Sequence, residues 1–202
     1  MSRGWLFVTT AAIVVLTQFP FSESEGGKTA MAQATGPVVL VMETSEGTVK
    51  MELWPDKAPI TVQNFLSYVD EKFYDGTIFH RVIPNFMIQG GGFTPDMNQK
   101  KTHAQIKNEA KADVKNDRGT LAMARTGVVD SATAQFFVNL TDNAFLNHKD
   151  ETRQGFGYCV FGKVTEGMDV VDKIAKVDTK TVGAYENVPA APVTIKSIKK
   201  AQ

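Results

Sequence analysis

Apolar residues in this chain come in short runs, and that brevity limits the fold more than any other feature. Phe79 to Ile83, Met87 to Gln89, Thr120 to Ala124, Phe136 to Leu140 and Tyr158 to Val164 are each closed off by glycine or polar turn residues. Such runs read as strands. Upstream, Val49, Met51 and Leu53 alternate with Thr48, Lys50 and Glu52, the period of a strand with one wet face. Val38 to Thr44 is a near-continuous apolar strand, joined to it through Ser45-Glu46-Gly47 as a hairpin. After Pro55 and Pro59, the residues Val62, Phe65, Leu66 and Val69 fall on one helical face, with Pro59 suited to a first turn where a missing N–H costs nothing. Met168, Val171 and Ile174 suggest a second, short helix. Val193 to Ile198 reads as a closing strand whose alternation slips at Ser197-Ile198, the mark of a bulge. Many short strands with two helices make a β-barrel or a sandwich with helical plugs.

The first 32 residues read as an address. Arg3 supplies a positive start, Leu6 to Leu16 an apolar stretch, and Ala30-Met31-Ala32 a small-x-small cleavage site. We therefore expect a signal peptide over residues 1–32, a short linker over 33–37 and a folded domain over 38–202. A cleaved chain would be periplasmic and free of the membrane. The alternative is an inner-membrane anchor, since residues 4–22 carry no charge. Cys159 is the only cysteine, so no internal disulfide can form and stability has to come from the core. Its apolar surroundings, Tyr158 to Phe161, suit a small buried hydrophobe better than a reactive thiol.

Charge excludes some classes of partner. Lysine plus arginine equals aspartate plus glutamate, at 22 each, and no basic stripe points to nucleic acid. Charges of alternating sign from Gln99 to Arg118 read as a solvated loop. His80, His103 and His148 lie far apart without ligand spacing, so no metal is expected. There is no G-x-S-x-G elbow, and Gly90-Gly91-Gly92 and Gly155-Phe156-Gly157 complete no phosphate cradle, so no cofactor is expected either. Asn139-Leu140-Thr141 matches a glycosylation sequon but reads better as a strand end.

Within this frame, Phe79-His80-Arg81-Val82-Ile83-Pro84-Asn85-Phe86-Met87-Ile88-Gln89-Gly90-Gly91 sets one permanent cation and one amide among large apolar side chains. Taken alone, Val82, Ile83, Phe86 and Met87 read as core. Three more segments follow in order: Leu121-Ala122-Met123-Ala124-Arg125, then Ser131-Ala132-Thr133-Ala134-Gln135-Phe136-Phe137-Val138-Asn139, then Phe161-Gly162-Lys163-Val164. In these segments the chain resembles a cyclophilin, a peptidyl-prolyl cis/trans isomerase, and within that family the exported bacterial form. The resemblance runs from about Val38 to Ile198 and implies a mainly β fold, a closed eight-stranded antiparallel barrel capped by two α-helices.

The reaction such a family performs explains the residue types. Resonance gives the prolyl amide a rotation barrier of roughly 18 to 20 kcal/mol. A guanidinium donating toward the amide nitrogen binds more strongly as the bond twists and the lone pair localises. The resemblance gives that catalytic role to Arg81. It implies a proline pocket of Phe86, Met87, Phe137 and Leu146, with Gln89 and Gln135 bonding the substrate backbone, main-chain groups of Arg125 assisting, and Ala124 lining the adjoining groove. His80 is expected to give a supporting hydrogen bond, and Val82 and Ile83 to pack the barrel. Phe145 and Tyr158 stand where animal relatives have a tryptophan and a histidine, so weak cyclosporin binding is expected. The implied partners are proline-containing unfolded polypeptides of exported proteins, met by a monomer. Two other readings remain, a non-catalytic module or chaperone that holds proline segments in the same groove, and a barrel for small ligands.

Overall fold

The computed structural model describes Met1 and residues 36–201. Apart from Met1, the expected signal peptide lies outside the described residues, as does most of the 33–37 linker. Strands β1 (Val38–Thr44) and β2 (Thr48–Leu53) form the expected hairpin, with Met42 opposite Val49. Their inward residues Leu40, Met42, Val49, Met51 and Leu53 are fully buried. Helix α1 (Pro59–Asp70) follows and turns Val62, Phe65, Tyr68 and Val69 into the core. Then come β3 (Phe79–Ile83), β4 (Met87–Gly90), β5 (Thr120–Met123), β6 (Phe136–Asn139), β7 (Val160–Glu166) and α2 (Met168–Ile174). Strands β8 (Thr179–Val182), β9 (Tyr185–Pro189) and β10 (Ile195–Lys200) complete the chain.

Eight strands make one antiparallel sheet in the order β10-β1-β2-β7-β5-β6-β4-β3, and β8 with β9 forms a separate hairpin. The barrel is not closed by a ladder. Its end strands β10 and β3 meet only through an Ile78–Thr194 bridge and neighbouring bonds such as Phe79 N–H to Val193 O at 2.9 Å. The fold is thus a curled, open eight-stranded sheet with two helices, and the closed barrel expected above is corrected to that extent. The physical reason lies in β3. Beyond Phe79 its free edge runs beside β9 instead of β10.

Phe65 of α1 fills the concave side, with ring centroids 4.9 Å from Tyr74, 5.4 Å from Phe136 and 5.1 Å from Phe161. A second apolar cluster, Met87, Ala122, Phe137, Leu146 and Val160, lies on the other face of the same strands. Every residue of β5 and β6 is therefore buried. Burial on both faces turns alternation into a continuous apolar run, which is why these strands show in the sequence as short uniform blocks. The closing strand does carry a bulge, one residue before the expected slip at Ser197-Ile198: Glu43 faces Ser197 and Thr44 faces Ile195, which leaves Lys196 as the extra residue.

Two expectations need correction. The β8–β9 hairpin was not expected, because Thr179–Val182 is largely exposed and carries no apolar pattern to betray it. The Gln99–Arg118 stretch is a loop, but not merely a solvated one. Asn108, Val114 and Asn116 within it are buried, and Ile106 bridges to Ala132.

Candidate active site

One irregularity of pairing creates the site. Phe79 faces Gly90 and Arg81 faces Gln89, so β3 spends two residues where β4 spends one, and His80 is the extra residue of a bulge. Phe79 and His80 are consequently both buried, while Arg81 emerges on the convex face beside Gln89. A bulge re-aims a side chain at little cost to the rest of the ladder. Arg81 takes part in none of the ion pairs among the described residues.

Around it Phe86, Met87, Gln89, Ala124, Arg125, Phe137, Leu146 and Tyr158 line a depression of about 100 Å³. Each of these was singled out in the sequence, and together with Arg81 they converge here. Met87 and Phe137 form a buried floor, and each such side chain removed from water contributes roughly 1.5–3 kcal/mol. Gln135 stands just behind, accepting a bond from Gln89 Nε2 at 2.9 Å, which fixes the direction of the Gln89 amide. Gly92 makes room for it, since a Cβ there would meet Gln135 Cγ at 2.5 Å.

Phe145 and Ile83 stand elsewhere than expected, and His80 keeps only part of its expected bonding. Phe145 is 63% exposed and stacks on Phe86 at 5.5 Å, so it extends the rim rather than lining the depression. Ile83 joins the outer cluster behind the site, not the concave core. His80 leaves Nδ1 buried without a partner among the described residues, its one polar contact being with the Ile78 backbone. Burial, reinforced by the neighbouring Arg81 charge, lowers its pKa to about 4, so the imidazole is neutral at physiological pH. Cys159 is buried as expected, and burial raises its thiol to about 11.

Sequence reading missed the residues that hold the walls together. Asn143 Nδ2 donates to Phe86 O at 2.9 Å and to Asn139 Oδ1 at 2.7 Å. Asn139 in turn donates to Thr120 Oγ1 at 2.9 Å and to Asn116 Oδ1 at 3.3 Å. Asn116 Nδ2 then reaches Leu146 O at 3.2 Å and Tyr158 O at 3.4 Å. Three buried amides thereby tie the main chain of three groove residues drawn from three separate segments. A satisfied polar network of this kind rigidifies what it joins. Asn139 is also fully buried, so the folded sequon presents no acceptor at the surface.

A larger hollow of about 210 Å³ lies between the β8–β9 hairpin and the 95–97 loop, lined by Ile78, Met97, Val188 and Pro192 among others. Asp96 and Lys180 are its only charged residues.

The family model of cyclophilin type peptidyl-prolyl cis-trans isomerases matches residues 39–200. Peptidyl-prolyl cis-trans isomerase A of Dickeya dadantii is 50% identical over 192 residues, which cover 95% of this chain and 96% of that one. Peptidyl-prolyl cis-trans isomerase B of Escherichia coli is 56% identical over 160 residues, 79% of this chain and 98% of that one. Among solved structures, a cyclophilin type peptidyl-prolyl cis-trans isomerase of Cryptosporidium parvum, crystallised in the presence of the dipeptide Ala-Pro, superposes with a TM-score of 0.70. That pair shares 26% identity, over 81% of this chain and 99% of the other. Half its residues shared along nearly its whole length, the chain belongs to the cyclophilin-type peptidyl-prolyl cis-trans isomerases.

Proposed function

We propose that this enzyme turns X–Pro bonds at the Arg81 groove, with the proline ring held on Phe86, Met87, Phe137 and Leu146 and the adjoining main chain held by Gln89, Gln135 and the backbone of Arg125. The observation that carries this reading is an unpaired guanidinium brought beside a fixed amide, over an apolar floor, by the His80 bulge. As the amide twists, its nitrogen becomes a hydrogen-bond acceptor. Arg81 donates to it, and because that bond is weak in the planar ground state the stabilisation is selective for the transition state. No proton is transferred, so no general base is needed. The presence of Ala-Pro with the Cryptosporidium relative fits a pocket of this size and chemistry.

Arg81→Ala tests it. Isomerisation of a proline tetrapeptide should fall by about 10²–10³ in kcat/KM, the loss typical of one oxyanion-hole-type donor, while peptide binding weakens far less. Unchanged turnover with binding intact would leave the groove a proline-binding module and reject the catalytic assignment. Substrates are taken to be unfolded segments of exported proteins, from the signal-like residues 1–32, and the enzyme to be a periplasmic monomer. Mass spectrometry of the mature N-terminus decides the first point, with cleavage after Ala32 expected. Phe145 offers no indole N–H at the rim, so cyclosporin should inhibit only weakly.

A further inference from the structure

A second guanidinium, which the isomerisation step does not use, stands beside the groove, stacked on its Tyr158. Arg125 was expected to serve the substrate through its main chain, yet the residue lines the same depression as Arg81. Its side chain is clamped. Nε donates to Gly157 O at 2.9 Å, one terminal nitrogen to Thr126 O at 3.1 Å and the other to Arg153 O at 3.3 Å. The planar face lies 4.8 Å over the Tyr158 ring, which itself packs edge-on against Phe137 at 5.7 Å.

These holds are set by the backbone. Gly157 adopts φ +75, and a Cβ there would come within 2.6 Å of the Leu146, Asn147 and His148 main chain, so only glycine can present its carbonyl this way. The same carbonyl also accepts from Asn108 Nδ2 at 3.1 Å. All three partners of Arg125 are main-chain carbonyls, so its positive charge is oriented without being neutralised. A guanidinium has five N–H donors, and two remain without a partner among the described residues.

The other residues around the depression sharpen the point. Arg81 and Arg125 are its only charged residues, and no aspartate or glutamate lines it. The chain as a whole has no net charge, so this concentration of cation is local. Arg81 is committed to the amide nitrogen. Arg125, held rigidly and half-buried beside the apolar floor, is free to recognise a fixed anion on the chain that flanks the proline.

We propose that Arg125 is a specificity-determining residue which selects proline segments carrying an aspartate or glutamate close to the proline and disfavours those with lysine or arginine there. The proposal rests on the assignment of the groove as the isomerase site. Attraction and repulsion both contribute, since a peptide lysine would be placed against a guanidinium that cannot move away.

The test uses the whole enzyme and proline peptides with glutamate, glutamine or lysine at each of the two positions on either side of the proline. At one of these positions the wild type should prefer glutamate over lysine by about ten-fold or more in kcat/KM, with glutamine between them. Raising salt from about 20 to about 500 mM should compress that ratio. In R125Q the ratio should fall to within about two-fold, and in R125K part of it should survive, whatever happens to overall turnover. A ratio that persists undiminished in R125Q would assign the discrimination to Arg81 and overturn the proposal, as would a wild type indifferent to charge at every position. Failure to isomerise any peptide would instead strike the assignment of the groove itself.

Discussion

His80 sits next to the groove cation yet points the other way, into the core against Phe93 with ring centroids 4.5 Å apart. It is 5% exposed, and its folded pKa of about 4 lies below the ordinary histidine value of 6.5. Between those two values the unfolded chain binds a proton that the folded chain refuses, so stability rises with pH across that window and is lost as pH falls through it. Above 6.5 the effect is absent, and by pH 4 it amounts to about 3 kcal/mol at most. Urea unfolding of wild type and His80→Gln should therefore show a gap that narrows as pH drops from 7 toward 4.5. A gap independent of pH would mean that the imidazole is not buried in its neutral form. The same neutrality means that isomerase activity should show no inflection near pH 6.5 from this residue. His80 was legible in the sequence as a neighbour of the cation. Its direction was not, because a bulge depends on how β3 pairs with β4, and pairing is invisible along one strand.

Helix α1 begins without a cap of its own. Ala58 makes no side-chain bond at its start and no acid occupies its first turn. The missing anion comes from far along the chain, where Glu109 accepts from Ile60 N–H at 3.2 Å, Thr61 N–H at 2.7 Å and Thr61 Oγ1 at 2.7 Å. A carboxylate there satisfies orphan donors and complements the helix dipole at once. Glu109→Ala should cost about 1–2 kcal/mol, read as a lowered urea midpoint at unchanged slope. Local signals made this helix easy to predict, with Pro59 at its start and an apolar stripe along it. The distant cap could not be read, and the stretch that supplies it passed for solvent-facing loop because its charges alternate. Asn116 was hidden for the same reason. Nothing in Lys115-Asn116-Asp117-Arg118 marks one amide as buried while its neighbours are exposed.

At the scale of the molecule, most of the strand set was legible, since burial on both faces writes itself as short apolar blocks. Closure was not legible, because it depends on whether the first and last strands of the sheet meet. They meet over a seam of few bonds, Gly76 N–H to Ile195 O at 2.9 Å, Ile195 N–H to Thr77 O at 2.7 Å and Phe79 N–H to Val193 O at 2.9 Å. Seam amides should therefore open more readily than those of β5 and β6, which are paired on both sides. Native-state hydrogen exchange should show Ile195 and Phe79 less protected than Leu121 and Val138 by about ten-fold or more. Equal protection would make the sheet a single cooperative unit across the seam. Of the groove residues, Met87, Gln89 and Phe137 sit on β4 and β6, away from the seam, while Arg81 lies on β3, the seam strand itself.

Cys159 is the only sulfhydryl, 3% exposed and shielded beneath α1, where Thr61 Oγ1 lies 3.4 Å away. A thiol so placed and held protonated is silent toward alkylating reagents until the helix lifts off the sheet. The natural sequence thus comes with its own clock: the rate at which one sulfur is labelled counts how often the interior is opened, with no reporter group to be engineered in.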